Sequence, residues 1–342
     1  MKTHKLRLIT LTSLIALGLA GCALGPTRAS DVFLSPYKHL NTYLPDKSFR
    51  AEIRVDGASK SLVSPAGLAI LANGSGVHLA FASGICGREV WGGLDAQQVA
   101  DANIPALVAA GVRYVVSTGG EGNQYHCDSA AGMEQFAARY DSPFLEGFDF
   151  DIEAQQTPAD IRSLVHQIKL AQLRRPHLRF SFTLATFAAS DGSQASLNGL
   201  GQTVLQAVRD EGISNFVINL MVMNYGAAVS QNCVVRQERC DMAASAQQAA
   251  INFHERYAVP YAQIALTPML GVNDVTQNVF TPADARTVAQ FAKKMRLAGL
   301  HFWSLDRDGP CLHGEPQVAA TCSGLGSVAG LEFMQAFRHG LQ

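Results

Sequence analysis

The sequence predicts a single α/β domain, a TIM (β/α)8 barrel, and three observations carry that expectation. Short β-branched or aromatic runs alternate with stretches whose apolar residues recur at helical spacing, the pattern of parallel βαβ units. The chain has 342 residues, a length that one such barrel fills. No low-complexity tract, short repeat or internal linker divides it. An open doubly wound sheet is the alternative arrangement of the same units.

The N-terminus is set apart from the fold. Lys2, Lys5 and Arg7 precede an apolar run, Leu8 to Leu19, and the small residues Ala20 and Gly21 follow. This is the layout of an export signal, so residues 1–21 are excluded from fold reasoning. The run is shorter than the ~20 apolar residues of a membrane span. Leu19-Ala20-Gly21-Cys22 resembles the lipobox of bacterial lipoproteins, which implies lipid modification of Cys22 and a membrane anchor. Ala23 in place of Asp favours the outer membrane. Residues 22–33 read as the lipidated tether and 34–342 as the domain. Removing the signal leaves 24 basic against 28 acidic side chains, a balance of −4. With no Lys/Arg cluster, nucleic acid is excluded as a partner, and a neutral polymer fits better.

Strands are expected at Val77–Ser83, Val112–Ser117, Phe144–Glu153, Leu178–Thr186, Asn215–Met223, Gln263–Met269 and Leu300–Leu305. An eighth lies within Asp31–Tyr43 or Arg50–Val55, where the pattern is weaker. Thr157-Pro158 with Asp160 starts a helix: a hydroxyl cap, Pro at the first position, an acid in the first turn. Ile161, Leu164, Val165 and Ile168 give that helix a buried face. Thr281-Pro282 with Asp284 repeats the device, followed by Val288, Phe291 and Met295.

Beyond Cys22, the cysteines are Cys86, Cys127, Cys233, Cys240, Cys311 and Cys322. An even number in an exported chain reads as disulfides, with the connectivity open. Local pairing would join Cys233 to Cys240 and Cys311 to Cys322, leaving Cys86 with Cys127. No CxxC or HExxH pattern supports zinc, and no metal or cofactor is expected.

The chemistry concentrates in Leu145-Glu146-Gly147-Phe148-Asp149-Phe150-Asp151-Ile152-Glu153. Side chains alternate along a strand, so Phe148, Phe150 and Ile152 face one way and Asp149, Asp151 and Glu153 the other. Three carboxyl groups on one barrel wall repel, and at least one pKa must rise. A carboxylic acid kept protonated near neutral pH is a general acid. Glu153 ends the strand, on the face where barrel enzymes react, with Asp151 roughly 7 Å deeper. A divalent-cation site is the competing reading of these acids.

The stretch Glu146 to Glu153 resembles the DGxDxDxE motif of glycoside hydrolase family 18, the chitinases and their relatives. Ser117-Thr118-Gly119-Gly120 is similar to the family's SxGG. Met221-Val222-Met223-Asn224-Tyr225-Gly226, Thr267 to Asp274 and Phe302-Trp303-Ser304-Leu305-Asp306-Arg307-Asp308 resemble MxMDYG, TPMIGxND and FWSLDRD of a bacterial subgroup. The resemblance implies substrate-assisted retaining hydrolysis, in which the sugar's own acetamido oxygen is the nucleophile. It makes Glu153 the acid/base and Asp151 the orienter of the acetamido group, with Asp149 beneath. Trp303 would floor the reacting sugar, Tyr225 and Asn224 would contact the acetamido group or steady Asp151, and Ser117, Met221 and Met269 would line the site. For the methionines, plain packing is the other reading.

Two positions depart from the family pattern: Glu146 and Asn224 stand where it has Asp. Between Asp274 and Leu300 there is room for one helix, so the small α+β insertion of processive chitinases is expected to be missing. With only two tryptophans, Trp91 and Trp303, a long aromatic track is not expected. Trp91 reads equally as a subsite or a structural residue. Soluble chitin and chito-oligosaccharides are the expected substrates, and a monomer the expected state. An endo-β-N-acetylglucosaminidase acting on glycans shares the same residues. A non-catalytic chitin- or oligosaccharide-binding lectin is the reading from another class.

Overall fold

The computed structural model describes residues 32–41, 49–55, 58–71, 75–153 and 156–342. The export signal, Cys22 and most of the tether lie outside the described residues. Phe33, assigned above to the tether, already belongs to the first strand.

The core is a curled, all-parallel sheet of nine strands. They are β1 (Phe33–Leu34), β2 (Tyr37–His39), β3 (Val77–Ala82), β4 (Tyr114–Gly119), β5 (Leu145–Asp151), β6 (Arg179–Ala185), β7 (Phe216–Met221), β8 (Ile264–Thr267) and β9 (Gly299–Leu300). Their order across the sheet is β1-β9-β8-β7-β6-β5-β4-β3-β2. The two edge strands are therefore successive pieces of one segment, separated by Ser35 and Pro36. That segment is bonded on both flanks. Ser35 and Tyr37 donate to the carbonyls of Leu300 and Phe302, each at 3.1 Å, while Gly76 and His78 donate to Leu34 and Pro36 at 2.9 and 2.8 Å. The weak eighth strand is thus found in the first of its two candidate windows. The second, Arg50–Val55, supplies one arm of an antiparallel hairpin (Glu52–Val55 with Ala58–Ser61) outside this sheet.

Among the described residues eight helices accompany the strands: α1 (Pro65–Ile70), α2 (Ala96–Ala109), α3 (Ala130–Arg139), α4 (Pro158–Arg174), α5 (Gly199–Asp210), α6 (Met242–Tyr257), α7 (Pro282–Met295) and α8 (Glu332–Leu341). Both expected helix starts carry full capping boxes. Thr157 accepts from Asp160 N while Asp160 accepts from Thr157 N, and Thr281 and Asp284 do the same. Such a cap contributes about 1 kcal/mol. Ile161, Leu164, Val165 and Ile168 of α4 are fully buried, each contributing roughly 1.5–3 kcal/mol of burial. Between Asp274 and Leu300 the described residues hold one helix, α7, as expected; a small hairpin (Gly271–Val272 with Val279–Phe280) precedes it. After β9, the expected strand to Leu305 stops early: Trp303 forms one bridge to Met269, and Leu305–Arg307 turns into a 3-10 helix.

Among the described residues three disulfides form: the local pairs Cys233–Cys240 and Cys311–Cys322, and Cys86–Cys127, the pair they leave. Trp91 is structural: its side chain is buried, and its indole Nε1 donates to the Tyr140 hydroxyl at 2.8 Å.

Candidate active site

Strand β5 divides its side chains as the alternation requires. Phe148 and Phe150 pack among Phe136, Phe180, Phe182 and Tyr125, and Ile152 is also buried in the core. Asp149 faces inward and is completely buried. Its carboxylate accepts four hydroxyl hydrogen bonds: Ser117 (2.6 Å) and Tyr37 (2.9 Å) on Oδ2, Ser181 (2.6 Å) and Thr183 (2.8 Å) on Oδ1. Burial pushes its pKa up, against the pull of these four donors. The network extends further: Asn219 Nδ2 donates to Tyr37 and Thr183, and Thr267 donates to Asn219 Oδ1. Ser117, expected to line the substrate site, does not. It lies one pairing across from Asp149 on β4, fully buried, and acts as a donor to that acid.

Above this layer a cavity of about 570 Å³ opens at the carboxyl ends of the strands. Asp151, Glu153, Tyr225, Asn224, Met221, Met269 and Trp303 all line it, so every other expected site residue except Asp149 and Ser117 converges there. Glu153 lies two residues past the end of β5. Gly119 makes this strand end possible: at φ +82°, a Cβ there would sit 2.1 Å from the Asp151 carbonyl oxygen.

Burial raises all three acids above the ordinary carboxylate range. Burial raises the Glu153 pKa to about 7, with help from the Glu121 and Asp274 carboxylates. Asp151 is also raised, by burial and then by the charges of Glu153 and Asp149. Asp151 Oδ1 and the Tyr225 hydroxyl are both buried without a hydrogen-bond partner among the described residues, and both border the cavity. Buried polar atoms are seldom left unsatisfied, so these two point to a polar ligand. Trp303 stacks on Phe81, centroids 5.5 Å apart and planes at 18°, giving one wall a flat aromatic surface.

Asn224 is committed elsewhere than to Asp151. Its Nδ2 donates to Asp274 Oδ2 at 2.9 Å, and its Oδ1 accepts from Val275 N at 3.1 Å. Glu146, the other departure, pairs with Arg113 at 3.1 Å at the partly exposed lower end of β5. Below the aromatic wall, the wholly buried Lys38 and Asp306 form an ion pair, and His39 N donates to the same carboxylate at 3.0 Å.

Sequence reading missed several lining residues: Tyr37, His39, Phe81, Glu121, Thr183 and Arg307. Tyr37 sits in the weak first strand, and only its reach across the sheet to Asp149 reveals it. Phe81 lies in a strand that was expected, where alternation marks it as facing the same side as Leu79 and Ser83 but gives no chemical cue.

No protein-family model matches the chain. A sequence from Metarhizium anisopliae, "Endochitinase 11", is 27% identical over 219 residues, covering 60% of this chain and 42% of its own length. "Probable bifunctional chitinase/lysozyme" of Escherichia coli is 30% identical over 227 residues, 60% of this chain and 24% of that protein. The chain thus spans less than half of either curated relative. Among solved structures, the catalytic domain of the hyperthermophilic chitinase from Pyrococcus furiosus superposes with a TM-score of 0.68 at 23% identity, covering 91% of this chain and 95% of that one. A curled parallel sheet, in a chain matched over nine-tenths of both lengths, gives this protein the fold of a chitinase catalytic domain.

Proposed function

We propose that the protein is a glycoside hydrolase that cleaves β-1,4-linked N-acetylglucosamine polymers or oligomers, with Glu153 as acid and then base. The observation that carries this reading is one carboxyl, poised near neutrality, at the rim of a cavity whose deeper acid and phenol lack partners. In the reaction, the acetamido group of the bound sugar turns under its own ring. Asp151 accepts the acetamido N–H and the Tyr225 hydroxyl donates to its carbonyl, which fixes that oxygen against the anomeric carbon. Glu153 gives its proton to the departing glycosidic oxygen as the oxazolinium ion forms, and the Asp151 carboxylate balances the positive charge. Glu153, now a carboxylate, takes a proton from the incoming water, and configuration is retained. Trp303 holds the sugar face. Asp149, with its four hydroxyl donors, fixes the strand beneath and the charge felt by Asp151.

The nine strands are read here as the eight-stranded TIM barrel, with β1 and β2 one strand divided at Ser35-Pro36. In such barrels the acids belong at the carboxyl ends, as Asp151 and Glu153 are. A lectin reading has no use for an acid raised to the range of a proton donor. Purified wild-type protein should hydrolyse chitotetraose, while Glu153→Gln should retain binding and lose at least about a hundredfold in rate. Cleavage of a glycopeptide but not of chitotetraose would move the assignment to glycan processing, and cleavage of neither would sink the hydrolase.

Export and lipid anchoring at Cys22 complete the reading, supported by the sequence alone. Labelled fatty acid should enter the wild-type chain and not Cys22→Ser, with the variant leaving the membrane fraction.

A further inference from the structure

The mouth of the cavity carries more acid than the proposed chemistry uses. Besides Asp151 and Glu153, the lining includes Glu121, on the loop after β4, and Asp274, on the loop after β8. Both are exposed carboxylates on different loops, both line the cavity beside Glu153, and both act on it through space. Asp274 is held in its position by the Asn224 amide, in the contact described above.

Among the described residues one cation, Arg307, lines the same cavity and acts through space on Asp274, which leaves the rim acidic on balance. Arg307 is only 2% exposed, and its guanidinium donates to the carbonyl oxygens of Leu270, Val272 and Ala319. His39 is held neutral, its pKa lowered to about 4 by burial and by the Lys38 charge. Deeper in the same space, the unpartnered Asp151 Oδ1 and Tyr225 hydroxyl mark it as a site for a polar ligand. An acidic mouth with low-dielectric walls concentrates cations and repels anions.

We propose that Glu121 and Asp274 select cationic substrate: partly deacetylated N-acetylglucosamine chains, whose glucosamine ammonium groups lie on sugars flanking the acetylated one that reacts. This rests on the glycosidase reading and names the substrate class within it. A fully acetylated chain gains nothing from the two carboxylates, and a glycan strand bearing carboxylates is repelled. Because the groups are exposed, each contributes a modest factor, roughly twofold to fivefold, and salt screens it.

Two measurements on the full-length protein test the proposal. In the first, kcat/KM is compared at pH 6 for a partly deacetylated and a fully acetylated polymer of matched length, at low salt and in ~0.5 M NaCl. The ratio should favour the deacetylated polymer severalfold at low salt and fall toward one in high salt. Glu121→Gln and Asp274→Asn should each lower that ratio by about twofold to fivefold; any effect these changes have on Glu153 is common to both substrates and cancels. In the second, calorimetry on Glu153→Gln compares binding of the corresponding hexasaccharides, which reads the selection without turnover. A ratio near one at low salt in both measurements overturns the proposal, as does a preference indifferent to salt or an equal rate on carboxylate-bearing glycan strands. Selective binding without any cleavage by wild type would leave the selection standing and overturn the hydrolase reading instead.

Discussion

Glu153 provides a test that joins stability to catalysis. In the folded protein its pKa is raised from an ordinary 4.5 to about 7, with burial the leading cause. Between those two values the native state holds a proton that the unfolded chain has released, so stability falls as pH rises through this window. At about 1.4 kcal/mol per unit, the full cost at pH 8 is ~3 kcal/mol. Glu153→Gln keeps the shape and removes the titration. The variant should therefore match the wild type below pH 4.5 and become progressively more stable above it. For a domain of roughly 300 residues, unfolding entropy is about 2.1 cal/mol/K per residue, and the difference at pH 8 corresponds to ~5 °C in Tm. Scanning calorimetry of both proteins from pH 4 to pH 8.5 measures it. The wild-type rate should fall on the alkaline side of about pH 7, as the proton donor is lost. A Tm difference that stays flat with pH, or a variant less stable at pH 8, would refute the claim that Glu153 is held in a low-dielectric rim.

Further consequences follow from the layer beneath and the cavity beside it. Ser117→Ala removes a 2.6 Å donor to a buried carboxylate. The loss should be roughly 1.5–3 kcal/mol with Asp149 ionised. Because that donor lowers the Asp149 pKa, the destabilisation in urea unfolding should be larger at pH 8 than at pH 5. Tyr225→Phe deletes a buried hydroxyl that has no partner among the described residues. Unfolding stability should be unchanged or slightly higher, while kcat/KM for chitotetraose drops roughly ten- to a hundredfold; a large loss of stability with normal kinetics would remove Tyr225 from the site.

Much of the molecule is legible in the order of residues. The period-two pattern of Phe148, Phe150 and Ile152 against Asp149, Asp151 and Glu153 dictates which side chains meet the helices and which the interior, because a strand has only two faces. The Thr157 and Thr281 caps announce their helices because a capping box is a contact between residues three apart. Short-range order of this kind is written where it acts, and it placed the acid-bearing strand and the two local disulfides correctly.

Tertiary structure decided the rest. Ser117 reads as a substrate contact until β4 is set beside β5, which turns its hydroxyl onto Asp149. Asn224 reads as a contact of the acetamido group or a partner of Asp151 until the loop after β8 brings Asp274 to its amide, which rules out the second. Tyr37 sits 112 positions from the carboxylate it donates to, on a strand too short to show a period. Periodicity reports only neighbours along one element, whereas these contacts depend on register between strands and on where loops end. The sequence by itself determined the acids and the strand that bears them; which groups hold, charge and surround those acids was settled by packing, since a pKa is a property of neighbours in space.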